Sequence, residues 1–271
     1  MRIAIRILFY LVLIMFAFLA AFPFYYMIAG SFMDSVEIYS RTPNLWPSSF
    51  EFDAYKRIFN NVPMIRYFAN SILVSGGTTV IAVLASSAAG YCFAHLDFIG
   101  KKFWFALVLA TLIVPFQARI IPLFVMFSDY NLNNTYAGIM LPGLISAFGV
   151  FMMSQFFQSV PAELREAAII DGASELGVFF RIFLPLAKPG VATLSVFTFI
   201  TSWDDLLWPM IIAPSPDMRT IQVGLAFIRQ TAQTPDQVMA AIVVVSIPVI
   251  IAFLLGQRYF VAGITSGAVK E

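Results

Sequence analysis

Charged residues are scarce in this chain of 271 residues, and their scarcity excludes the soluble classes of protein. Only 11% of the residues are charged and 60% are hydrophobic, whereas soluble domains carry roughly 25% charged residues. The mean hydropathy is +0.86, and the formal net charge of +1 gives no excess of positive charge for nucleic acid. The composition therefore predicts a polytopic membrane protein without a nucleic-acid partner.

Cysteine and histidine are almost absent as well, which removes most kinds of metal or catalytic site. Cys92 is the single cysteine and His95 the single histidine, so neither an intrachain disulfide nor a His/Cys metal site is expected. We expect His95 to be a satisfied histidine at the end of an apolar segment. The phosphate-loop pattern G-x-x-x-x-G-K-[ST] is also missing, because the single Gly-Lys pair, Gly100-Lys101, is followed by another lysine. The sequence predicts no cofactor and no enzyme, and any ATP hydrolysis must reside in a partner subunit.

Six long apolar segments are present, and they predict six transmembrane helices. They cover residues 7–29, 68–93, 103–126, 136–158, 190–212 and 238–257. Each segment is long enough to cross about 30 Å of hydrocarbon, and each is expected to be one helix because lipid cannot satisfy an exposed backbone. The second segment is rich in small residues and the fourth contains glycines and Pro142, which favours close packing or bending. The expected fold class is all-α, with residues 1–271 forming a single transmembrane domain.

Lysine and arginine are distributed unevenly between the two sides of the predicted bundle. The uncharged run 7–33 is longer than the apolar region of a cleaved signal peptide, so the first segment is expected to remain as a span. Six spans place both termini and the loop 160–189 on one side, which holds nine of the 16 Lys and Arg residues, against six in the opposite loops. The positive-inside rule assigns the richer side to the cytoplasm. The opposite side carries two long connections, residues 30–66 and 213–237.

The loop 160–189 is the longest charged interruption in the second half of the chain, and it predicts two short helices joined by a sharp turn. Its first part, residues 161–170, begins with proline and glutamate, as helices often do. Gly172 favours a helix end because glycine accepts the left-handed conformation, and Ser174 is a suitable N-cap for a second helix. Pro185 and the proline four residues later are expected to end that helix. Such a rigid elbow is suited to fitting a groove on another protein.

The same loop carries a motif that resembles the EAA motif of permease subunits of type I ABC importers. The matching residues are Glu166, Ala167, Ala168, Gly172, Ile182, Leu184 and Pro185. Asp171, Phe183 and the Lys188-Pro189 pair resemble the carbohydrate branch of the family, which includes the second permease of the maltose system. The ending QRYFVAGITSGAVK, residues 257–270, is similar to the same branch, and its two glycines predict a compact, non-helical tail.

The resemblance implies a permease that forms the pathway for a sugar or related polyol in the plasma (inner) membrane of a prokaryote. The implied partners are two ATP-binding cassette ATPase subunits, a second similar permease in a heterodimer, an extracytoplasmic solute-binding protein at the two long connections, and membrane lipid. The residues expected to couple this chain to the ATPase are Arg165, Glu166, Ala167, Ala168, Asp171 and Gly172. A same-fold permease for another small solute, such as a phosphodiester or an amino acid, is the alternative.

Three charged residues, Arg119, Asp204 and Asp205, interrupt otherwise apolar segments. Ionisable side chains at membrane depth usually face the bundle interior or a water-filled path. Along straight helices, Arg119 lies ~24 Å and Asp204 ~22 Å from the start of its span, so both fall at similar depth. Together with Trp203 they are candidate pathway residues, although the resembled permeases usually carry Trp-Asn where this chain has Trp-Asp. Two alternatives stay open: the charges lie at the outer headgroups beside tryptophan anchors, or Asp204 or Asp205 serves as acid/base in an intramembrane enzyme.

Overall fold

The computed structural model describes residues 2–42, 44–232 and 234–268, and the side chains of residues 5–258 within those ranges. Throughout these ranges the regular structure is helical and contains no β-strand, which confirms the all-α class. The helices are α1 (Arg2–Gly30), α2 (Ser35–Ile38), α3 (Asp53–Asn61), α4 (Met64–His95), α5 (Lys101–Ala110), α6 (Phe116–Asp129), α7 (Tyr136–Met140), α8 (Ala147–Gln158), α9 (Glu163–Ile170), α10 (Glu175–Val178), α11 (Leu184–Leu186), α12 (Lys188–Trp203), α13 (Leu207–Ile212), α14 (Ile221–Thr231) and α15 (Pro235–Ala268).

Among the described residues, three candidate spans are continuous helices, and up to three more are bent helix pairs. Residues Ile5–Gly30 of α1, the whole of α4 and residues Pro235–Arg258 of α15 are each long and apolar enough to cross a membrane. The other candidates are helix pairs bent by 99° between α5 and α6, by 48° between Tyr136–Gly143 and α8, and by 80° between Glu175–Leu186 and α12. Counting each bent pair as one span gives up to six spans, the number expected from the sequence. The fifth lies elsewhere than predicted: the bent pair covers residues 175–203 and not 190–212, because α12 ends at Trp203 and a separate helix, α13, begins at Leu207. The expectation that every span is one continuous helix is wrong for these three.

The sharpest break, between α5 and α6, has a local cause in the sequence. The 3-10 turn Thr111–Ile113 follows α5, Val114 is extended with φ −83° and ψ 110°, and Pro115 precedes α6. Proline lacks an N–H donor and disfavours helical backbone at the residue before it, so the helix cannot continue through Val114. The depth calculated for Arg119 along a straight helix is therefore wrong, because Arg119 lies beyond the bend.

The chain divides into two compact units. The first comprises residues 1–66 and 223–247, and the second comprises residues 67–222 and 248–271. The predicted organisation as a single transmembrane domain stays a prediction.

In the first unit, the connection that follows α1 is held by side-chain hydrogen bonds. The Glu37 carboxylate accepts hydrogen bonds from Asn44 Nδ2 at 3.1 Å and from the Ser48 backbone N–H at 3.0 Å. At the start of α15, the buried carboxylate of Asp236 pairs with Arg57 on α3. These contacts give the polar connection a defined structure although it is too polar for the lipid interior.

In the second unit, α4 and α8 pack closely through glycines. A Cβ atom added to Gly90 would lie 2.8 Å from Met153 Cβ and 2.8 Å from the Ser154 backbone nitrogen. A Cβ added to Gly149 would lie 2.5 Å from Ser86 Oγ. Small residues allow helix backbones to approach in this way when lipid surrounds the bundle. The close packing expected of the second span is confirmed.

Within the part of the second unit that the structure describes, buried apolar side chains form two clusters. The first, called the elbow cluster below, consists of Val83, Tyr91, Met153, Phe157, Val178, Phe179, Phe183, Ala187 and Leu194. The second consists of Val74, Phe127, Ile139, Trp208, Ile212 and Ala213. The elbow cluster joins the end of α4, α8 and the segment that follows α9, so it fixes that segment to the spans.

The last helix extends further than predicted. The two glycines of residues 257–270 predicted a non-helical tail, but the backbone of α15 is helical through Ala268. Glycine in a helix costs only about 1 kcal/mol relative to alanine, and no proline interrupts the helix after Pro248. The end of the tail motif, residues 269–270, lies outside the described residues.

Candidate functional sites

The centre of the 161–189 loop has the structure that its sequence predicts. Helix α9 ends at Ile170, Gly172 adopts φ +86°, and Ser174 Oγ accepts a hydrogen bond from the Gly177 N–H at 3.2 Å. A left-handed φ strains residues that carry a Cβ, which explains the glycine. The helix begins at Glu163, two residues later than predicted. Helix, glycine turn and capped second helix together form the elbow.

Beyond α10 the helical run passes through Pro185, where a helix end was expected. A π-helical turn, Phe179–Phe183, joins α10 to α11, and the run ends at Leu186. Proline is tolerated in the first turn of a helical segment, where its missing N–H has no partner to lose. Pro189 likewise lies in the first turn of α12. The prolines therefore mark the starts of helical segments.

Within the elbow, a bidentate ion pair joins α9 to α10. Arg165 Nε donates to Glu175 Oε1 and Arg165 Nη2 donates to Glu175 Oε2, both at 2.8 Å. The hydrogen bond to Glu175 raises the pKa of Arg165 above its ordinary value, so the guanidinium stays charged. The Tyr91 hydroxyl donates to Glu175 Oε1 and adds α4 to the network. Sequence reasoning missed Tyr91 because it lies 84 positions from Glu175, and no local pattern links them.

Helix α9 has one face against the protein and one face open. Arg165 and Ala168 are half-buried, and Ala168 packs against the elbow cluster. The other predicted coupling residues are exposed: Glu166, Ala167, Asp171 and Gly172. Beside them, Ile170 leaves 85% of its surface exposed. Two of the predicted coupling residues thus hold the elbow to the chain, and four stand on a free surface with an apolar residue among them.

His95 is engaged by the backbone, as expected of a satisfied histidine. Its Nε2 lies 2.9 Å from the Phe157 carbonyl oxygen, and its ring packs edge-on against Phe183 with centroids 4.5 Å apart. Among the described residues, no group of three or more His, Cys, Asp or Glu side chains could hold a metal ion.

A cavity of about 510 Å³ lies in the second unit, where the broken spans leave space. Its charged lining residues are Arg119 and Asp205. Its lining hydroxyls belong to Thr78, Thr111, Ser146, Thr198, Thr201 and Ser202, and its lining aromatic residues are Phe116, Phe148, Phe197 and Trp208. The cavity therefore combines one cation, one carboxylate, several hydroxyls and aromatic faces.

Arg119 and Asp205 differ in how they are held. Arg119 is exposed, and its guanidinium carbon lies 5.6 Å from the centroid of the Phe116 ring. Asp205 is half-buried, and its Oδ1 accepts from the Trp208 backbone N–H at 3.4 Å. Because both side chains line one cavity, their formal charges offset each other there. Ser146 Oγ accepts from the Gly149 N–H at 3.0 Å, which leaves the serine O–H to donate.

The other two candidate pathway residues lie elsewhere. Trp203 is fully buried, with ring centroids 5.4 Å from Phe68 and 5.7 Å from Phe199. It does not line the cavity, and a ring buried inside the chain cannot anchor a helix at the headgroups, so the expected role as anchor is wrong. Its role in the pathway stays a prediction. Asp204 is exposed and accepts from Gln222 Nε2 at 2.9 Å, outside the cavity lining. Asp204 and Asp205 lie in the break between α12, which ends at Trp203, and α13, which begins at Leu207. The sequence predicted one continuous span here, so it did not predict the different surroundings of the two carboxylates.

The second tryptophan considered as an anchor is buried as well. Trp208 leaves 1% of its surface exposed, and its Nε1 donates to the Gly138 carbonyl at 3.0 Å. A buried indole usually finds such a partner. The alternative that tryptophan anchors hold this region at the headgroups is therefore wrong for both residues.

Comparison with known proteins identifies the family. The family described as "Binding-protein-dependent transport system inner membrane component" matches residues 81–266. The arabinooligosaccharides transport system permease protein AraQ of Halalkalibacterium halodurans is 38% identical over 262 residues, which are 94% of this chain and 92% of the relative. The sn-glycerol-3-phosphate transport system permease protein UgpE of Yersinia pestis is 32% identical, with 94% of each chain covered.

A solved structure shares the fold along nearly the whole chain. It is the crystal structure of a bacterial ABC transporter involved in the import of the acidic polysaccharide alginate, with a TM-score of 0.84 and 25% identity. The match covers 95% of this chain and 96% of the other. We conclude that the chain is a multi-pass membrane protein and belongs to the family of binding-protein-dependent transport system inner membrane components, as its resemblance to ABC importer permeases predicted.

Proposed function

We propose that this chain is a permease subunit of an ATP-driven importer for a sugar or related polyol in the plasma membrane of a prokaryote. The observation that carries the proposal is the elbow, which presents an exposed EAA helix, α9, on a set of spans in a chain of this family. Relatives named for arabinooligosaccharide and sn-glycerol 3-phosphate transport support a small, hydroxyl-rich substrate. The chain is a permease and not an enzyme, and ATP hydrolysis belongs to a partner.

Helix α9 is the proposed docking element for an ATP-binding cassette ATPase subunit. Its exposed face combines the Glu166 carboxylate with the apolar side chain of Ile170, which suits a cleft with an apolar floor and a basic rim. Two ATPase subunits would bind, one to this chain and one to a second, similar permease. ATP binding closes the ATPase pair, and each docked helix carries that movement to its own spans, so the pathway opens alternately to the two sides.

The distribution of Lys and Arg supports the orientation proposed for the chain. It assigns both termini and the elbow to the cytoplasm. The connections 30–66 and 213–237 then lie on the outer side, where an extracytoplasmic solute-binding protein delivers the substrate. The hydrogen bonds made by Glu37 support this role for the first connection, because a docking surface requires a defined structure.

The cavity lined by Arg119 and Asp205 is the proposed contribution of this subunit to the pathway. One positive and one negative side chain favour a neutral, hydroxyl-rich ligand, which needs donors and acceptors but no net charge. Phe148 and Phe197, whose ring centroids lie 5.1 Å apart, add apolar faces for the C–H surface of a sugar ring. A glycerol phosphate is the second candidate, because Arg119 suits a phosphate and one relative is named for that solute.

Replacing Gly172 tests the docking proposal. Proline requires φ near −65°, so Gly172→Pro cannot keep the observed +86° and should displace α9. Gly172→Asn is the matched control, because asparagine tolerates the left-handed region. We expect the ATPase subunit to co-purify with the asparagine variant and not with the proline variant, with both chains inserted in the membrane. A proline variant that binds the ATPase and transports normally would show that α9 is not the docking element.

Uptake into proteoliposomes tests the pathway and the substrate class. Labelled arabinotriose and labelled sn-glycerol 3-phosphate serve as the two probes, and uptake of the phosphate alone would favour the second candidate. Arg119→Ala removes a charged hydrogen-bond donor, a loss of about 1.5–3 kcal/mol, and should raise KM about tenfold or more. Lys102→Ala, at the other end of the same bent span, is the control. The pathway role of Arg119 is wrong if KM is unchanged and Arg119→Cys, in a Cys92→Ala background, resists a small aqueous thiol reagent.

A further inference from the structure

The contact between the elbow and α4 has an apolar part and a polar part. Tyr91 is only 3% exposed. Its ring packs against Phe157, Phe179 and Phe183, with ring centroids 5.8, 5.4 and 5.1 Å apart. Two of those rings belong to the π-helical turn, an irregularity that often occurs at functional sites. The polar part is the hydroxyl of the same tyrosine, which donates to Glu175. Tyr91 is therefore held by its ring and by its hydroxyl at once.

The ion pair spans the glycine turn between α9 and α10, and it adds to two backbone hydrogen bonds there, from Gly172 N–H to the Ile169 carbonyl at 3.0 Å and from Ala173 N–H to the Ala168 carbonyl at 2.9 Å. Gly172 stands between α9 and α10 with φ +86°, and nothing lies within 4 Å of the position a Cβ would take. A glycine in open space is a natural hinge because no side chain restricts it. The two 2.8 Å hydrogen bonds from Arg165 to Glu175 span this hinge. A displacement of α9 is consequently passed to α10 and is not absorbed at the turn.

Helix α4 provides a continuous path from the elbow to the cavity. It runs unbroken for 32 residues, a length of about 48 Å. Tyr91 lies near its end, and Thr78, which lines the cavity, lies about 20 Å earlier along its axis. The other three spans that belong to the second unit are broken by 48° to 99°, so they can absorb displacement at their breaks. Among these spans, α4 is the one able to move as a rod.

We infer that Arg165, Glu175 and Tyr91 are positioning residues that transfer the movement of α9 to α4, and through α4 to the cavity wall at Thr78. The inference rests on the proposed docking of an ATPase subunit on α9. It assigns Tyr91 and Glu175, which lie outside the EAA motif, a part in coupling. A network that only stabilises the fold would change the stability of the complex and leave the response of the cavity to nucleotide intact.

The test uses the assembled importer in nanodiscs, with Cys92→Ala and one reporter, Thr201→Cys, in the cavity. The rate of modification by a charged methanethiosulfonate reagent is measured without nucleotide and with ATP plus vanadate. We expect nucleotide to change the parent rate about threefold or more, and Tyr91→Phe or Glu175→Gln to remove at least about half of that change. Tyr136→Phe is the control, since it removes a different tyrosine hydroxyl bond, 2.7 Å long to Asn70. The double variant, Tyr91→Phe with Glu175→Gln, should lose no more of the nucleotide response than the single variant that loses more of it, because the two residues act as one unit.

The outcomes separate two hypotheses: the link, which is the transfer of movement from α9 to α4 by Arg165, Glu175 and Tyr91, and the proposed function of the chain. If both single variants keep the ATPase bound and keep the full nucleotide response, the link is wrong and the proposed function stands. If both variants release the ATPase, the network serves docking, and the link is again wrong. A parent that shows no nucleotide response, although its ATPase is bound, would overturn the proposed function and the link with it. If one variant does not assemble, the other decides the outcome alone.

Discussion

Gly90 gives the most direct test of how tightly the spans pack. A methyl group at this position would lie 2.8 Å from Met153 Cβ, 2.8 Å from the Ser154 backbone nitrogen and 2.9 Å from the Met153 carbonyl carbon. Two of these atoms belong to the backbone and cannot rotate away. Reaching an ordinary contact of 3.4 Å requires α4 and α8 to separate by about 0.6 Å, in an interior of low compressibility. We expect Gly90→Ala to destabilise the chain.

The size of the effect follows from a comparison with Gly76 on the same helix. Overpacking of a filled interior costs about 1–3 kcal/mol, while alanine gains about 0.5–1 kcal/mol over glycine in a helix. Gly76→Ala makes the same helical gain without the clash, because nothing lies within 4 Å of its Cβ position. The difference between the two variants therefore isolates the clash.

Thermal unfolding in detergent, followed by size-exclusion chromatography of fluorescent fusions, measures that difference. At about 2–4 °C per kcal/mol for a chain of this size, Gly90→Ala should melt about 2–12 °C below Gly76→Ala. Equal melting temperatures would refute the close approach of α4 and α8.

Two further predictions concern polar contacts. Arg57→Ala removes the charged partner of the buried Asp236 carboxylate and should lower the free energy of unfolding by about 2 kcal/mol or more. Lys56→Ala, which breaks an exposed pair, should leave the melting temperature unchanged. Equal melting temperatures of the two variants would contradict this prediction. Ser174→Ala removes the N-cap of α10, worth about 1 kcal/mol, so the Gly177 amide should exchange hydrogen about fivefold faster. Unchanged exchange at Gly177 would mean that the cap does not hold α10.

The sequence predicted the elbow well because its signals are local. Gly172 and Ser174 act through their own backbone and their nearest neighbours, and the structure has both in the expected conformations. Most of the apolar segments were equally clear, since hydropathy alone reports the length of a span, but the fifth segment, 190–212, is interrupted between Trp203 and Leu207. The break at Pro115 also has a local signal, but its 99° size depends on which neighbouring helices fill the bend.

The contacts that join distant parts of the chain could not be predicted. Tyr91 and Glu175 meet across 84 positions, and a tyrosine in an apolar segment gives no sign of its partner. Asp204 and Asp205 are neighbours in sequence, yet Asp205 lines the cavity and Asp204 does not. Trp203 was assigned to the pathway from its residue type, although its helix turns it into the interior. Such assignments depend on helix phase and on where a helix breaks, and tertiary packing decides both.

Crosslinking from α9 is the direct test of whether an ATPase subunit docks on this helix. A photo-crosslinking amino acid replaces Ile170, which is 85% exposed, in an importer that is active in transport. The control replaces Ile121, which is 76% exposed and lies outside both the elbow and the cavity lining. Mass spectrometry identifies the products. We predict that position 170 crosslinks to a polypeptide that contains a phosphate loop and that position 121 does not. An active importer in which position 170 captures only lipid, or any other protein, would contradict the docking of an ATPase on α9.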